Sequence, residues 1–147
     1  YGTDNYFNVA HGLTVYNYLY GSGTPITSDM SQASAAIIAD VSAGVGFANY
    51  TAHCGSSGWS DPSFSTADVP GLQNDDEFGL LIGNCCQSNM FDAPICFGEA
   101  LLRADNKGAV GYIYFNLLIL GWTFNKYSTT FICVGITIIN HQCIGHV

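Results

Sequence analysis

The sequence predicts an α/β fold in which helices flank a mostly parallel β-sheet. Apolar residues recur at spacings of three and four between positions 30 and 41 and between 97 and 104, as in helices that bury one face. Three runs rich in apolar and β-branched residues, at 47–53, 78–84 and 109–115, are typical of strands. Helices and strands follow one another in the order of crossover units on a parallel sheet.

The boundaries of these elements have recognisable signals. Ser28 or Asp29 offers an N-cap for the first helix, and Gly44 ends it, while Lys107-Gly108 closes the second. The uncharged run at 78–84 is predicted to be a strand buried on both faces. Small and polar residues dominate 54–76, which predicts a surface loop with at most a short helix around 66–72. The tyrosine-rich residues 1–20 indicate half-exposed strands or a binding surface.

Composition argues against nucleic acid and anionic membrane as partners. The 147 residues carry three basic and eleven acidic side chains, a net charge of −8, so no basic stripe can neutralise phosphates. Hydrophobic residues make up 48% of the chain, enough for a buried core, and the mean hydropathy is +0.23. Charged residues make up only 10%, against about 25% in ordinary soluble domains, which predicts that a missing upstream segment of the same domain shields part of this surface.

The sequence also predicts a chain without a membrane span. Its longest apolar run, from Ala109 to Trp122, contains glycine and Asn116 and is shorter than the roughly 18 to 20 residues that cross a bilayer. No signal peptide opens the chain, which therefore reads as a mature or excised piece.

One cysteine and one histidine are placed where α/β proteins carry function. His53 and Cys86 each follow a predicted strand, and the carboxyl ends of parallel strands meet at one edge of the sheet. A thiol becomes a nucleophile when a base takes its proton, so this pair is a candidate for covalent catalysis. On the residues alone, each is as readily a buried structural side chain.

Sequence blocks around this pair are more specific. They are Tyr50-Thr51-Ala52-His53, Trp59, Gly83-Asn84-Cys85-Cys86 and Pro94-x-Cys96-Phe97-Gly98-Glu99-Ala100. These blocks, and the separation of 33 positions from His53 to Cys86, resemble the gingipains of peptidase family C25, the lysine-specific type in particular. The resemblance covers about residues 47–112, and the tail from 114 diverges from it.

The resemblance implies a caspase-like α/β fold and a secreted or bacterial cell-surface cysteine endopeptidase that cleaves proteins or peptides after basic residues, with lysine favoured. It implies Cys86 as the nucleophile and His53 as the general base, with Cys85 as a non-catalytic neighbour. The oxyanion hole would use backbone N–H groups of Cys86 and of the residue after the histidine. That residue is Cys54 here, with glycine displaced to Gly55. No catalytic cofactor or catalytic metal is implied, although a structural calcium ion is.

On this reading the 147 residues are a single partial catalytic domain, in which 114–147 is a divergent apolar tail of undefined role. The acid that orients the histidine in gingipains has no convincing match, although Asp4 lies near its expected place. The acid that selects lysine falls on Phe124 or Asn125, neither of which is acidic. Asp92 and Glu99 are the acids nearest Cys86 in sequence.

Three other interpretations stay open. His11, which precedes Gly12 after an apolar run, is a second candidate base, although it lacks the Trp59 block and the spacing to Cys86. A Cys/His metal-binding domain is an alternative, but the cysteines lack the paired C-x₂-C spacing of zinc sites. The third interpretation is a disulfide-stapled secreted module that binds a partner through its tyrosines.

Overall fold

A five-stranded sheet with strand order β1-β8-β2-β6-β7 forms the centre of the fold. The structure, a computed structural model, describes residues 9–20, 30–114 and 134–140. Its strands are β1 (Thr14–Tyr20), β2 (Phe47–Thr51), β3 (Cys54–Gly55), β4 (Gly58–Ser60), β5 (Ser63–Ser65), β6 (Gly79–Asn84), β7 (Ala109–Tyr114) and β8 (Val134–Asn140). Its helices are α1 (Met30–Ser42) and α2 (Phe97–Arg103), with short 3-10 turns at Val9–His11 and Val69–Gly71.

Strand directions confirm the predicted mostly parallel sheet. β2 pairs in parallel with β6, and β6 pairs in parallel with β7. β8 runs antiparallel to both β1 and β2, so β1 points the same way as the three parallel strands. Four of the five strands therefore end at one edge of the sheet. The predicted helices at 30–41 and 97–104 are confirmed within one or two residues. The predicted closure of the second helix at Lys107-Gly108 is wrong, because α2 ends at Arg103 and Ala104 is already extended.

A single buried cluster holds one face of this sheet against both helices. Ile37 and Val41 of α1 and Leu101 of α2 are fully buried together with Ala48 and Leu81 from the strands. Their side chains recur at helical spacing in the helices and at alternate positions in the strands, so local geometry directs them all to one core.

The prediction that 78–84 is buried on both faces is wrong. Buried and half-buried residues alternate along β6, and β2 alternates in the same way. The core cluster covers only the face that carries Leu81, so an uncharged strand did not require two covered faces.

The predicted surface loop at 54–76 is also wrong in part, because it contains the second sheet, β3-β4-β5. These strands are two or three residues long, too short to show periodicity in the sequence. Trp59 of β4 and Phe64 of β5 are buried and join the core cluster. The predicted helix at 66–72 is reduced to the 3-10 turn Val69–Gly71.

The edge strand β1 is tied to α1 by a polar contact. The hydroxyl of Tyr18 donates a 2.6 Å hydrogen bond to Oδ2 of Asp40. Burial raises the pKa of Tyr18, and the bond to Asp40 raises it further. Burial also raises the pKa of the Asp40 carboxyl.

Part of the divergent tail enters the central sheet, since β8 lies between β1 and β2. Most of the apolar run from 109 to 122 lies outside the described residues beyond Tyr114. Within the described ranges, no helix has the length and apolar character needed to cross a bilayer.

Candidate active site

The register between β2 and β6 places His53 and Cys86 just beyond the ends of two adjacent parallel strands. The last paired residues of the two parallel strands are Thr51 and Asn84, and His53 and Cys86 each follow two positions later. Both residues are exposed, at the edge of the sheet where the parallel strands end. A histidine and a thiol on adjacent strand ends meet the first requirement of a nucleophile and its base.

A disulfide joins the same two strand ends. Cys54, the residue after His53, is bonded to Cys85, the residue before Cys86, and their Cα atoms lie 5.6 Å apart. Sγ of Cys54 also lies 2.5 Å from the carbonyl oxygen of Cys86. Because a disulfide sulfur carries no proton, this is a close contact and not a hydrogen bond. Cys86 itself lies outside the disulfide and keeps its thiol.

Amide hydrogen bonds tie the strands just below the site. Nδ2 of Asn84 donates to Oδ1 of Asn49 at 3.0 Å and to Oγ1 of Thr51 at 3.2 Å. All three side chains occupy alternate positions of β2 and β6 and share a face. These bonds stabilise the register that aligns His53 with Cys86.

The backbone of His53 is held by its carbonyl oxygen. This oxygen accepts hydrogen bonds from the hydroxyl of Tyr50 and, at 3.0 Å, from the N–H of Ser60. The same Tyr50 hydroxyl accepts the N–H of Ser60 at 3.2 Å. Burial raises the pKa of Tyr50, so its hydroxyl stays protonated across the neutral range and donates to the carbonyl oxygen of His53.

An aromatic cluster lies beneath the histidine. The ring of Tyr50 stacks on Trp59 with centroids 4.5 Å apart, and Trp59 meets Phe64 and Phe97 edge to face at 5.5 and 5.7 Å. Such ring contacts stabilise beyond the area they bury. Trp59 therefore links the histidine strand to α2, which follows the cysteine loop.

A line of buried hydrogen bonds continues from this cluster to the cysteine loop. Nε1 of Trp59 donates to the Tyr112 hydroxyl at 3.1 Å, and that hydroxyl donates to Oγ of Ser88 at 2.9 Å. Ser88 is fully buried, and its Oγ lies 3.6 Å from Sγ of Cys85. Burial raises the pKa of Tyr112. Gly83 is required here, because a Cβ at that position would meet the Tyr112 hydroxyl.

The loop after Cys86 turns sharply. Gln87 has φ of 66°, a left-handed conformation that few residues other than glycine adopt. Its N–H donates to the Tyr114 hydroxyl at 2.8 Å, and the N–H of Gly98 donates to the Ser88 carbonyl at 3.0 Å. Hydrogen bonds from β7 and from the start of α2 thus fix the loop on both sides of its buried serine.

Comparison with known proteins agrees with this geometry. A family model described as Peptidase family C25 matches residues 3–137. The chain belongs to peptidase family C25. The match is wider than the resemblance at 47–112 and includes part of the tail that the sequence alone sets apart. The predicted gingipain-type membership and α/β fold are confirmed.

Named relatives in this family are gingipains of Porphyromonas gingivalis. Lys-gingipain W83 is 42% identical over 115 residues, which are 77% of this chain and 6% of that protein. Gingipain R2 is 32% identical over 74 residues, which are 49% of this chain and 10% of that protein. The chain thus spans a tenth or less of the length of these curated relatives.

Two solved structures are similar to this chain. One, described as the structure of a protease, has a TM-score of 0.51 and 44% identity, and covers 52% of this chain and 17% of its own. The other is the crystal structure of the arginine-specific cysteine proteinase gingipain R, with a TM-score of 0.51, 29% identity, and coverage of 53% of this chain and 19% of its own.

Strand pairing directs the backbone N–H groups of Cys54 and Gly55, the two predicted oxyanion donors, to opposite sides. Opposed residues in an antiparallel pair alternate between hydrogen-bonded and non-hydrogen-bonded types. Ser60 donates to His53, which makes that pair hydrogen-bonded. The next pair, Cys54 with Trp59, is therefore of the other type, and the pair of Gly55 with Gly58 is again hydrogen-bonded. The N–H of Cys54 is thus directed away from β4, whereas that of Gly55 is directed toward it.

The second candidate base, His11, lies at the opposite end of the sheet. It ends the 3-10 turn before β1, three positions ahead of Thr14. β1 runs in the same direction as β2, so His11 is at the amino-terminal edge and Cys86 at the carboxyl-terminal edge. The structure does not bring them together.

The nearby acids occupy different settings. Glu99 forms a 2.6 Å ion pair with Arg103 one turn along α2, whereas Asp92 is exposed on the loop after Cys86. Asp4, Phe124 and Asn125 lie outside the described residues, as do Cys133, His141 and Cys143, three of the side chains that a Cys/His metal site could use.

Within residues 9–20, 30–114 and 134–140, no three His, Cys, Asp or Glu side chains group as metal ligands.

Several residues of the site carried no signal in the sequence. Tyr112 and Tyr114 reach the cysteine loop only through folding, since their contacts with Ser88 and Gln87 span 24 and 27 positions. Tyr112 and Tyr114 stand two apart in a predicted strand, which placed them on one face but did not show what they touch.

Proposed function

We propose that this chain carries the catalytic centre of a cysteine endopeptidase in which Cys86 is the nucleophile and His53 the general base. The observation that supports this most is the register of β2 and β6. Thr51 and Asn84 are the last paired residues of these adjacent parallel strands, and His53 and Cys86 each follow two positions later. Membership in peptidase family C25 supports the same assignment.

The reaction is acyl transfer. His53 takes the proton of the Cys86 thiol, and the thiolate attacks the scissile carbonyl carbon. Collapse of the tetrahedral intermediate breaks the C–N bond as His53 returns the proton to the leaving amine. A water molecule, deprotonated by His53, then attacks the thioester, and release of the carboxylate restores the Cys86 thiol.

An oxyanion forms at each attack and needs backbone donors. We assign this role to the N–H groups of Cys86 and Cys54. The pairing of β3 with β4 favours Cys54 over Gly55, because it directs the Cys54 N–H away from the hairpin. The disulfide at Cys54 uses its side chain and leaves its backbone N–H in place.

The substrate proposal is cleavage of proteins or peptides after a basic residue, with lysine favoured. It rests on similarity to Lys-gingipain, whose name states its preference, at 42% identity over 115 residues. Because the chain belongs to the same family, we also propose that the protein is secreted or acts at the cell surface.

Site-specific alkylation tests the proposed centre. Iodoacetamide is applied at pH 6, where an ordinary thiol is almost entirely protonated, and labelling is mapped by mass spectrometry. Rapid labelling of Cys86 is the expected result, with Cys96 as the internal control because it is a buried thiol in the same chain. If Cys86 labels no faster than an ordinary exposed thiol, the proposed nucleophile is refuted and the disulfide-stapled binding module becomes the better interpretation.

A further inference from the structure

The disulfide between Cys54 and Cys85 occupies a particular position in the proposed centre. One partner directly follows His53 and the other directly precedes Cys86, and their Cα atoms are 5.6 Å apart. The mechanism above uses neither sulfur. The disulfide is therefore a feature of the site that the chemistry leaves unexplained.

Below the disulfide the two strands are held by ordinary sheet pairing and by the Asn84 amide, which reaches Asn49 and Thr51. These contacts end at Thr51 and Asn84, the last paired residues of the two strands. Beyond them the chain after β2 turns into the hairpin β3–β4, and the chain after β6 enters the loop through Gln87 and Ser88. The candidate base and nucleophile therefore lie on two separate segments beyond the last pair of the parallel strands.

The disulfide joins these two segments. Cys85 is buried and Cys54 half-buried, and the hydroxyl of Ser88 lies against the Cys85 sulfur. Sγ of Cys54 also contacts the Cys86 carbonyl oxygen at 2.5 Å, so the disulfide touches the backbone of the nucleophile itself. Loss of the bond would remove a covalent tie whose two ends each lie one residue from a reacting group.

We propose that the Cys54–Cys85 disulfide is a covalent clamp that holds the His53 segment against the Cys86 segment in a reactive arrangement. Cys54 and Cys85 are positioning residues on this view, and the inference rests on the proposed function of His53 and Cys86. Misplacing reacting groups by about 1 Å can lower a rate about a hundredfold, so a clamp at this point acts on turnover more than on overall folding.

The clamp gives reductants two opposing effects. A mild reductant keeps the exposed Cys86 as a thiol, whereas a stronger one opens the more shielded Cys54–Cys85 bond. We expect peptidase activity to rise and then fall as dithiothreitol is increased.

The double variant Cys54→Ser/Cys85→Ser tests the clamp, with Cys96→Ser as the matched control. Alkylation of Cys86 by iodoacetamide is measured at one pH and compared with that of a small free thiol. We expect Cys86 to react at least about tenfold faster than the free thiol in the native protein and in Cys96→Ser, and to approach the rate of the free thiol in the double variant, because the thiol there loses the base that activates it. Its kcat should drop at least about tenfold with KM changed less than about threefold.

Two results separate the clamp from the catalytic proposal. A native Cys86 that reacts no faster than the free thiol refutes an activated Cys86 and removes the proposed function itself. Equal alkylation rates and equal kcat in the native protein and the double variant refute the clamp while the proposed function stands.

The dithiothreitol titration covers the case in which the double variant does not fold. It is run on the native protein with near-ultraviolet circular dichroism as the control for retained structure. Opening of the bond, quantified by mass spectrometry, should coincide with loss of activity in protein that stays folded. Full activity with the bond reduced overturns the clamp.

Discussion

The indole N–H of Trp59 donates a 3.1 Å hydrogen bond to the hydroxyl of Tyr112, 53 positions away. Trp59 stacks on the tyrosine that holds the His53 carbonyl, and Tyr112 bonds the serine of the loop that follows Cys86. The contact thus joins the two halves of the candidate centre through the core. A shift of either ring would therefore change the position of His53 relative to Cys86.

The first prediction concerns the hydroxyl of this pair. Tyr112→Phe keeps the ring but leaves the buried Trp59 N–H and Ser88 hydroxyl without their partner. We expect the free energy of unfolding to fall by about 1–3 kcal/mol, the usual cost of leaving buried polar groups unsatisfied. Urea denaturation measures the change. The control, Tyr16→Phe on a residue 40% exposed, should change stability by less than about 0.5 kcal/mol, and equal losses from both variants would contradict the role assigned to Tyr112.

Much of the fold followed from periodicity in the sequence. The spacing of Ile37 and Val41 and the apolar run ending at Asn84 predicted α1 and β6, and the positions of His53 and Cys86 after strands were confirmed. In these elements the spacing of apolar residues matches the residues that are buried, so the sequence alone is enough to predict them.

The remaining features depend on pairing between distant segments. The β3–β4–β5 sheet has strands of at most three residues, stabilised by burial of Trp59 and Phe64 in the core and not by a local pattern. The partner of Cys54 was likewise undetermined, because several cysteines were available and only the register of β2 with β6 brings Cys54 to Cys85. The sequence indicated the candidate pair but not the network that holds it.

The second prediction assigns the nucleophile. Cys86→Ala should reduce kcat/KM below detection, since no other described thiol lies at the strand ends. Cys96→Ala is the matched control, because this buried thiol contacts Oδ1 of Asn89 and precedes α2, away from the reacting edge. It should keep most of the activity. Comparable loss from both variants, in protein shown to be folded, would remove Cys86 as the nucleophile.

The third prediction distinguishes the two candidate bases. His53→Ala should lower kcat by several orders of magnitude, because a thiol and its base act as a unit. His11→Ala should change kcat by less than about threefold, since His11 lies at the far end of the sheet. Steady-state kinetics on one peptide substrate measure both, and the reverse order of effects would overturn the assignment.

The fourth prediction concerns alkaline pH. Burial raises the pKa of Tyr50 and Tyr112 above the ordinary value of about 10. In the unfolded chain both ionise near pH 10, whereas the folded protein holds their protons, so the unfolded state then binds fewer protons and stability falls as pH rises. The contribution is fully present below about pH 10 and is lost as pH rises toward the folded values.

Urea denaturation between pH 9 and pH 11 measures this slope. Tyr112→Phe should flatten it above pH 10 by up to about 1.4 kcal/mol per pH unit, the contribution of one proton. Between pH 7 and pH 9 the slopes of the native protein and the variant should coincide, which serves as the control. Identical slopes above pH 10 would show that Tyr112 ionises equally in both states.

The last prediction concerns specificity for the residue before the scissile bond. Burying an ammonium ion without a partner costs several kcal/mol, so a strong preference for lysine requires a carboxylate in the pocket. Glu99 is engaged with Arg103 at 2.6 Å, which leaves Asp92 as the acid on the loop after Cys86. Asp92 is exposed, and a solvated carboxylate stabilises a bound cation only weakly. We therefore expect kcat/KM for lysine to exceed that for alanine by less than about a hundredfold, or about 2.7 kcal/mol.

Matched peptides with lysine, arginine or alanine before the scissile bond measure the preference, and Asp92→Asn shows whether this acid supplies it. The variant should lower kcat/KM for lysine and arginine together and leave that for alanine unchanged, because only the charged side chains lose an attraction. Asp105→Asn, on the turn after α2, is the matched control that removes a carboxylate elsewhere. A lysine preference well above a hundredfold that survives Asp92→Asn would contradict this account, since it would require a buried carboxylate that residues 30–114 do not place beside Cys86.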